Sequence, residues 1–247
     1  MGCALSLASI HGLLKYKKKS LKFFFTISFL IGMLSIAKAG SRSPVVVLAL
    51  VMIFYFITKL GIFRGLVIIG ILGGLMIIFI NPIIDLLTSM GSTIAIRLTS
   101  MVVKGEGNGR EVIYKRVLDI IDQAPILGSY YLIPYGPFAG MYAHNFFLEV
   151  FMATGFLGGI PFTILILISL IKSYKLIRAE HPSSWVIILY LQILGYGMFS
   201  TGLYSSQDFW ALLFYIMSIK LYAYRVSRKS SSRSFLKTSP PSLLKTA

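Results

Sequence analysis

Six long apolar blocks alternate with polar segments along the chain, and each block approaches the length of a membrane-spanning helix. A spanning helix needs about 20 mostly apolar residues, or fewer when basic and aromatic flanks reach the interface. The connections between most blocks are too short to form a water-soluble surface. The pattern therefore predicts an all-α, polytopic transmembrane helical bundle of about six spans, at Leu21–Ala39, Pro44–Thr58, Gly65–Ile80, Phe146–Ile171, Trp185–Leu203 and Phe209–Ala223.

The long polar interruption at residues 81–145 carries helical signals of its own. Asn108 is a suitable helix N-cap, and Glu111 three residues later gives a capping-box-like start. Apolar residues then recur at helical spacing, at Val112, Ile113, Val117, Leu118, Ile120 and Ile121. We expect an amphipathic surface helix here, a second one near Ser92–Val103, and an irregular Gly- and Pro-rich rim up to Tyr142.

Basic residues gather at one end of the predicted spans, which assigns an orientation. With a cytoplasmic N-terminus, 17 of the 24 Lys and Arg residues fall inside and the remaining 7 outside, as the positive-inside rule requires. The predicted organisation is a cytoplasmic N-terminus with three spans at 1–80, an external loop at 81–145, three more spans at 146–224, and a disordered basic cytoplasmic tail at 225–247.

Composition and charge exclude several classes of protein. Charged residues make up 13% of the chain, about half of the roughly 25% found in soluble domains. The net charge of +16 lies beside apolar blocks, so it indicates topology and attraction to anionic lipid, not nucleic-acid binding. A single cysteine excludes an internal disulfide. No metalloprotease, serine-hydrolase or Walker motif is present.

Three polar residues fall at the predicted external ends of the spans. Arg42 lies between the first two spans, Arg110 opens the surface helix, and His144 directly precedes the fourth span. Guanidinium groups suit phosphate binding, and neutral histidine can accept a proton from an attacking hydroxyl. Ordinary roles remain open for each: an interface anchor, a solvated helix start, and, for His144 with Asn145, a helix cap. Glu149 lies within the fourth span, where ionisable groups usually face a cavity or a partner.

Two stretches resemble the O-antigen ligase and O-antigen polymerase family. The first runs from Gly109-Arg110 to Pro125-Ile126-Leu127-Gly128, and the second from Ala143-His144-Asn145 through Glu149 to Gly155-Phe156-Leu157-Gly158. Upstream, Ser41-Arg42 is similar to the family's Ser-Arg pair at a span boundary. The resemblance covers about residues 41–170. Because members of that family usually have about twice as many spans, the chain resembles their C-terminal half.

The resemblance implies an inverting, metal-independent glycosyltransferase of the bacterial inner membrane that needs no cofactor and polymerises or ligates the units of a surface polysaccharide such as lipopolysaccharide. The donor would be an undecaprenyl-pyrophosphate-linked oligosaccharide, and the acceptor a glycan or a lipid core. By this resemblance Arg42 and Arg110 bind the pyrophosphate, His144 and Arg110 are catalytic, and Asn145 and Glu149 support them.

The sequence leaves other classes open. One is a transporter or flippase whose loop acts as a gate, and another is a different membrane transferase, such as an acyltransferase that uses His144. A third is a non-catalytic remnant of a larger enzyme.

Overall fold

A computed structural model describes residues 2–38, 43–89 and 110–220, and all the regular elements in those ranges are α-helices. The predicted all-α fold is confirmed. Arg42, the expected second surface helix at Ser92–Val103 and the basic tail at 225–247 lie outside the described residues. The helices are α1 (Gly2–Lys15), α2 (Lys19–Lys38), α3 (Ser43–Leu60), α4 (Ile62–Ser89), α5 (Arg110–Gln123), α6 (Phe146–Arg178), α7 (Ser184–Phe199) and α8 (Gln207–Ser218).

Three of these helices, α2, α3 and α6, are long and apolar enough to cross a bilayer, and α7 is a shorter apolar helix. Large apolar side chains on their outer sides, including Phe24, Leu50 and Ile160, are exposed, as expected of surfaces that face lipid. The membrane character is confirmed, and the total of six spans stays a prediction. One boundary differs from the sequence pattern, because α4 continues through Pro82 to Ser89, beyond the expected end of the third span.

The sequence pattern does not predict α1, which forms an antiparallel hairpin with α2. At one end of the pair, a Cβ on Gly2 would lie 2.7 Å from the carbonyl oxygen of Gly32. At the other end, the rings of Tyr16 and Phe25 stack with centroids 5.8 Å apart. If the basic cluster at residues 15–22 is cytoplasmic, as the charge pattern predicts, the start of α1 lies toward the external side.

One apolar core joins α1, α2, α3, α6, α7 and α8, and a contact within it aligns two of these helices. A Cβ on Gly195 would lie 3.0 Å from a methyl carbon of Val47. The beginning of α3 therefore lies at the same end of the bundle as the C-terminal end of α7. The largest fully buried members of this core are Tyr190, Phe146, Phe209, Leu7, Leu176, Ile177, Ile187 and Leu213.

The helix α6 folds back on itself at Gly155, where φ is 58° and ψ is −156°. The ring centroids of Phe147 and Phe162 are 5.8 Å apart, although these positions in a straight helix would be separated by about 22 Å along the axis. Residues 146–154 and 156–178 are therefore the two arms of a helical hairpin, with its apex at Gly155. The second arm is about 34 Å long, so it can cross a bilayer alone.

The chain after α5 supplies the hydrogen bonds that the break in α6 leaves unmade. The peptide N–H groups of Phe156 and Leu157 donate to the carbonyl oxygens of Pro125 and Ile126, over 2.7 and 3.1 Å. In addition, the N–H of Ser129 donates to the Met152 carbonyl oxygen over 2.9 Å. The start of the second arm is thus capped by backbone from another segment, which an apolar environment demands of any broken helix.

Two glycines make this approach of backbones possible. A Cβ on Gly155 would collide with the backbone of Ile126, and a Cβ on Gly128 would collide with the backbone of Ala153. Both glycines also have positive φ, of 58° and 68°, a region that L side chains rarely adopt. The Pro-Ile-Leu-Gly and Gly-Phe-Leu-Gly sequences are therefore the two halves of one contact, which we call the apex contact.

The amphipathic helix predicted from the loop is confirmed as α5. Its apolar side packs against the first arm of α6 and the irregular segment that follows α5, and not only against solvent or lipid. A small second core forms there, from Ile113, Val117, Ile120, Ile121, Ile133, Ala143 and Met152. Because the end of α5 leads into the apex contact, α5 lies alongside the first arm and runs in the same direction.

We predict that Gly155→Ala destabilises the protein far more than Gly140→Ala. Gly140 also has positive φ, of 80°, but a Cβ there would meet nothing within 4 Å. Its substitution should cost only the backbone strain, about 1 kcal/mol. Gly155→Ala adds a collision with backbone and should cost at least about twice as much. Thermal unfolding of both variants in the same detergent measures the difference. Equal losses of stability would contradict the apex contact.

Candidate functional site

Asn145 begins α6 and fixes the backbone around His144. Its side-chain oxygen accepts hydrogen bonds from the N–H groups of Phe147 and Leu148, over 3.0 and 3.2 Å, which is the usual N-cap arrangement. Asn145 is therefore the N-cap of α6, and His144 does not act as the helix cap. His144 itself has a φ of 58°, an uncommon conformation for a residue other than glycine and one often found at functional sites.

The imidazole of His144 contacts Tyr142 and the backbone of Ser200, and one of its nitrogens is buried. Its ring packs against the Tyr142 ring, with centroids 4.2 Å apart. It makes a hydrogen bond to the backbone of Ser200, while Nδ1 is buried without a hydrogen-bond partner among the described residues. A neutral imidazole carries one proton, so the nitrogen that does not hold it has a lone pair available to accept a proton.

Arg110, the first residue of α5, acts on His144 electrostatically. Burial lowers the pKa of His144, and the positive charge of Arg110 lowers it further, while the hydrogen bond to Ser200 acts in the opposite direction. The net effect keeps the imidazole neutral over a wider pH range. The structure thus brings together Arg110 and His144, which lie 34 positions apart in the sequence.

Glu149 lies one turn into the first arm of α6 and is 4% exposed. Its Oε2 accepts a hydrogen bond of 2.6 Å from the N–H of Leu203, in the turn between α7 and α8. Its Oε1 is also buried and has no hydrogen-bond partner in the described part of the chain. Glu149 therefore ties the first arm to the same turn whose Ser200 carbonyl holds His144.

The turn between α7 and α8 contributes residues that the sequence pattern does not single out. Ser200 and Leu203 act through backbone groups, so their side-chain identities carry no signal. Tyr142 donates from its hydroxyl to the Ser200 carbonyl oxygen over 3.4 Å, and its ring packs at a tilt against the His144 ring. Its position two residues before His144 is the one sequence clue to this role, since alternate residues of an extended segment lie on the same side.

Arg42 lies outside the described residues, but the helix that follows it is placed. Ser43 begins α3, and the contact of Val47 with Gly195 puts that beginning at the Ser200 end of α7. Within the described ranges, no group of three or more His, Cys, Asp or Glu side chains is arranged to hold a metal ion.

We predict that Arg110→Gln raises the pKa of His144, because removal of the neighbouring positive charge makes protonation easier. NMR titration of ring-labelled histidine in the full chain measures this, with His144→Gln used to assign the resonance. Lys115→Gln removes a cation from an exposed position five residues further along the same helix and should leave the titration unchanged. A His144 pKa that stays the same or falls in Arg110→Gln would contradict the electrostatic contact.

Comparison with known proteins identifies the family of the chain. A search of curated proteins and a search of solved structures gave no significant match. A family model described as O-antigen ligase matches residues 23–163, which is more than half of the chain and includes Arg110, His144 and both halves of the apex contact. The chain therefore belongs to the O-antigen ligase family.

Proposed function

We propose that this protein transfers a glycan from a polyprenyl-pyrophosphate-linked donor to a hydroxyl group of a glycan or lipid-core acceptor. Membership of the family indicates ligase or polymerase activity in surface-polysaccharide biosynthesis. The observation that supports this donor and acceptor is that Arg110, a permanent cation, lies close enough to His144 to lower its pKa, while Nδ1 of His144 is buried and unpartnered among the described residues.

In the proposed reaction His144 accepts a proton from the acceptor. We propose that Nε2–H faces the Ser200 carbonyl oxygen, so that Nδ1 of the neutral ring takes the hydroxyl proton as the oxygen attacks the anomeric carbon. The bond from that carbon to the pyrophosphate oxygen breaks in the same step. Direct attack from the face opposite the leaving group inverts the configuration. The pKa of His144, lowered by burial and by Arg110, supports the neutral form that this role needs.

Arg110 and Arg42 are proposed to bind the pyrophosphate. A departing polyprenyl pyrophosphate must leave with its negative charge stabilised, and guanidinium groups held in place do this without reorganisation. Two cations supplied by the chain would make a divalent metal unnecessary. Arg42 is assigned to this role because the helix that follows it begins at the end of the bundle where Ser200 lies.

Asn145 and Glu149 are proposed to support the site without touching the reacting atoms. Asn145 caps the first arm of α6 and fixes the backbone of His144. Glu149 holds the N–H of Leu203, and with it the turn that presents the Ser200 carbonyl. These contacts define the tautomer of His144 indirectly, in the way that hydrogen-bond partners of a catalytic histidine usually do.

We predict that His144→Ala and Arg110→Ala each abolish normal surface polysaccharide in the host strain, with a loss of transfer of about 100-fold or more. Arg110→Lys keeps the charge but not the planar fork, and should retain an intermediate activity. Gel analysis of polysaccharide length and attachment measures the effect, and immunoblotting confirms equal protein levels. Lys115→Ala is the matched control. Normal polysaccharide in His144→Ala at normal protein level would overturn the proposal.

We further propose that the protein lies in the bacterial inner membrane with α5 on the external side. In a Cys3→Ser background, Lys115→Cys should react with an impermeant maleimide added to cells with a permeabilised outer membrane. Lys17→Cys, between α1 and α2, should react only after the inner membrane is broken. Both positions are exposed, so a difference in labelling reports the side of the membrane. The reverse pattern would contradict the orientation given by the basic residues.

A further inference from the structure

A cavity of about 300 Å³ opens between the two arms of α6, the start of α8 and the turn before it. Ala153 and Gly158, on opposite arms of the hairpin, both line it, and their small size leaves the space open. Tyr131 and Tyr204 are at its edge with 69% and 60% of their surface exposed. The cavity therefore exists because α6 bends back at Gly155 into two arms. A straight helix would not enclose such a space.

Glu149 gives this cavity a specific chemical requirement. It lines the cavity and is 4% exposed. Its Oε2 accepts from Leu203, whereas its Oε1 is buried and unpartnered within the described residues. A buried acceptor without a donor is unfavourable, so a ligand that offers a hydroxyl at this position would be bound in preference to one that does not. A polyprenyl chain has no donor, but a sugar ring has several.

The remaining wall of the cavity suits a sugar as well. Trp210, Tyr131 and Tyr204 line it, and flat aromatic faces pack against the C–H faces of pyranose rings while the polar tips of Trp and Tyr can bond to hydroxyl groups. The volume is at the lower end of the range of small-molecule pockets, sufficient for one ring but not for an extended oligosaccharide. Apolar faces combined with one fixed acceptor are the composition expected of a site that orients a ring.

We propose that this cavity binds a sugar residue of the glycan next to the bond that is formed or broken, with Glu149 Oε1 accepting a hydrogen bond from a ring hydroxyl. The inference rests on the proposed function. The turn between α7 and α8 supports a sugar position close to the reacting bond. The turn contacts His144 through Ser200 and Glu149 through Leu203, so the cavity lies near His144. Glu149 and the aromatic wall would then select which sugar is accepted.

The chain contains two tryptophans, so Trp185→Phe leaves Trp210 as a single fluorescent reporter in the cavity wall. The purified full chain in detergent is titrated with oligosaccharides released by mild acid from the host's own surface polysaccharide. We expect a saturable change in Trp210 emission. Undecaprenyl phosphate, which has the lipid but no sugar, is titrated separately and should give no such change.

Two variants test the contact itself in the Trp185→Phe background. Ala153→Leu fills the cavity and should weaken oligosaccharide binding at least tenfold, while Ala153→Ser, the control of similar size, stays within twofold. Glu149→Gln keeps an oxygen for the N–H of Leu203 but replaces the other acceptor with a donor. It should therefore weaken binding several-fold while the unfolding temperature is preserved, even if Ala153→Leu folds poorly.

Two results would overturn the sugar site: no response to the oligosaccharides, or a Trp210 response to undecaprenyl phosphate that Ala153→Leu removes. The second result would assign the cavity to the lipid tail. Either can occur while His144→Ala still abolishes polysaccharide formation, in which case the proposed function survives. Conversely, if His144→Ala leaves the polysaccharide normal, the transferase proposal fails while the titration still reports whether sugar binds.

Discussion

The rest of the site depends on the apex contact, in which backbone from residues 125–129 replaces the hydrogen bonds that α6 loses at Gly155. A broken helix in an apolar environment is stable only if its freed N–H groups find other acceptors. Here Pro125 and Ile126 supply them, and glycine at positions 128 and 155 lets the two backbones meet.

Folding back moves the beginning of α6 to a place that a straight helix could not reach. Phe147 lies level with Phe162, roughly 10 Å below the apex along either arm. His144 is consequently beside the end of α7 and not far outside the bundle. The same hairpin places its two arms around the cavity. It also places Glu149 next to the turn that contains Leu203. One backbone contact thereby positions the histidine, its hydrogen-bond partner and the proposed sugar site.

The sequence predicts the parts of this arrangement that depend on periodicity and charge. The apolar blocks predict α2, α3 and α7, and the amphipathic repeat predicts α5. The apolar block at 146–171 predicts a helix but not that the chain turns back at Gly155. Apolar content alone does not indicate where a helix breaks and reverses its direction. The helix α1 is missed because its 14 residues are too few for a span and its basic end resembles a flank. Arg110 and His144 are identifiable from residue type, whereas Ser200 and Leu203 act through backbone atoms that any residue provides.

The charge near His144 suits the pyrophosphate donor proposed for this protein. A transferase needs cations for its leaving group and a neutral base for its acceptor, and these requirements agree, because a cation beside an imidazole disfavours its protonation. The hydrogen bond to the Ser200 backbone favours the protonated ring and so opposes that effect. Because burial and Arg110 both lower the pKa of His144, the ring stays neutral over a wider pH range. In the proposed reaction Arg110 therefore serves twice, since it keeps the base neutral and binds the leaving group.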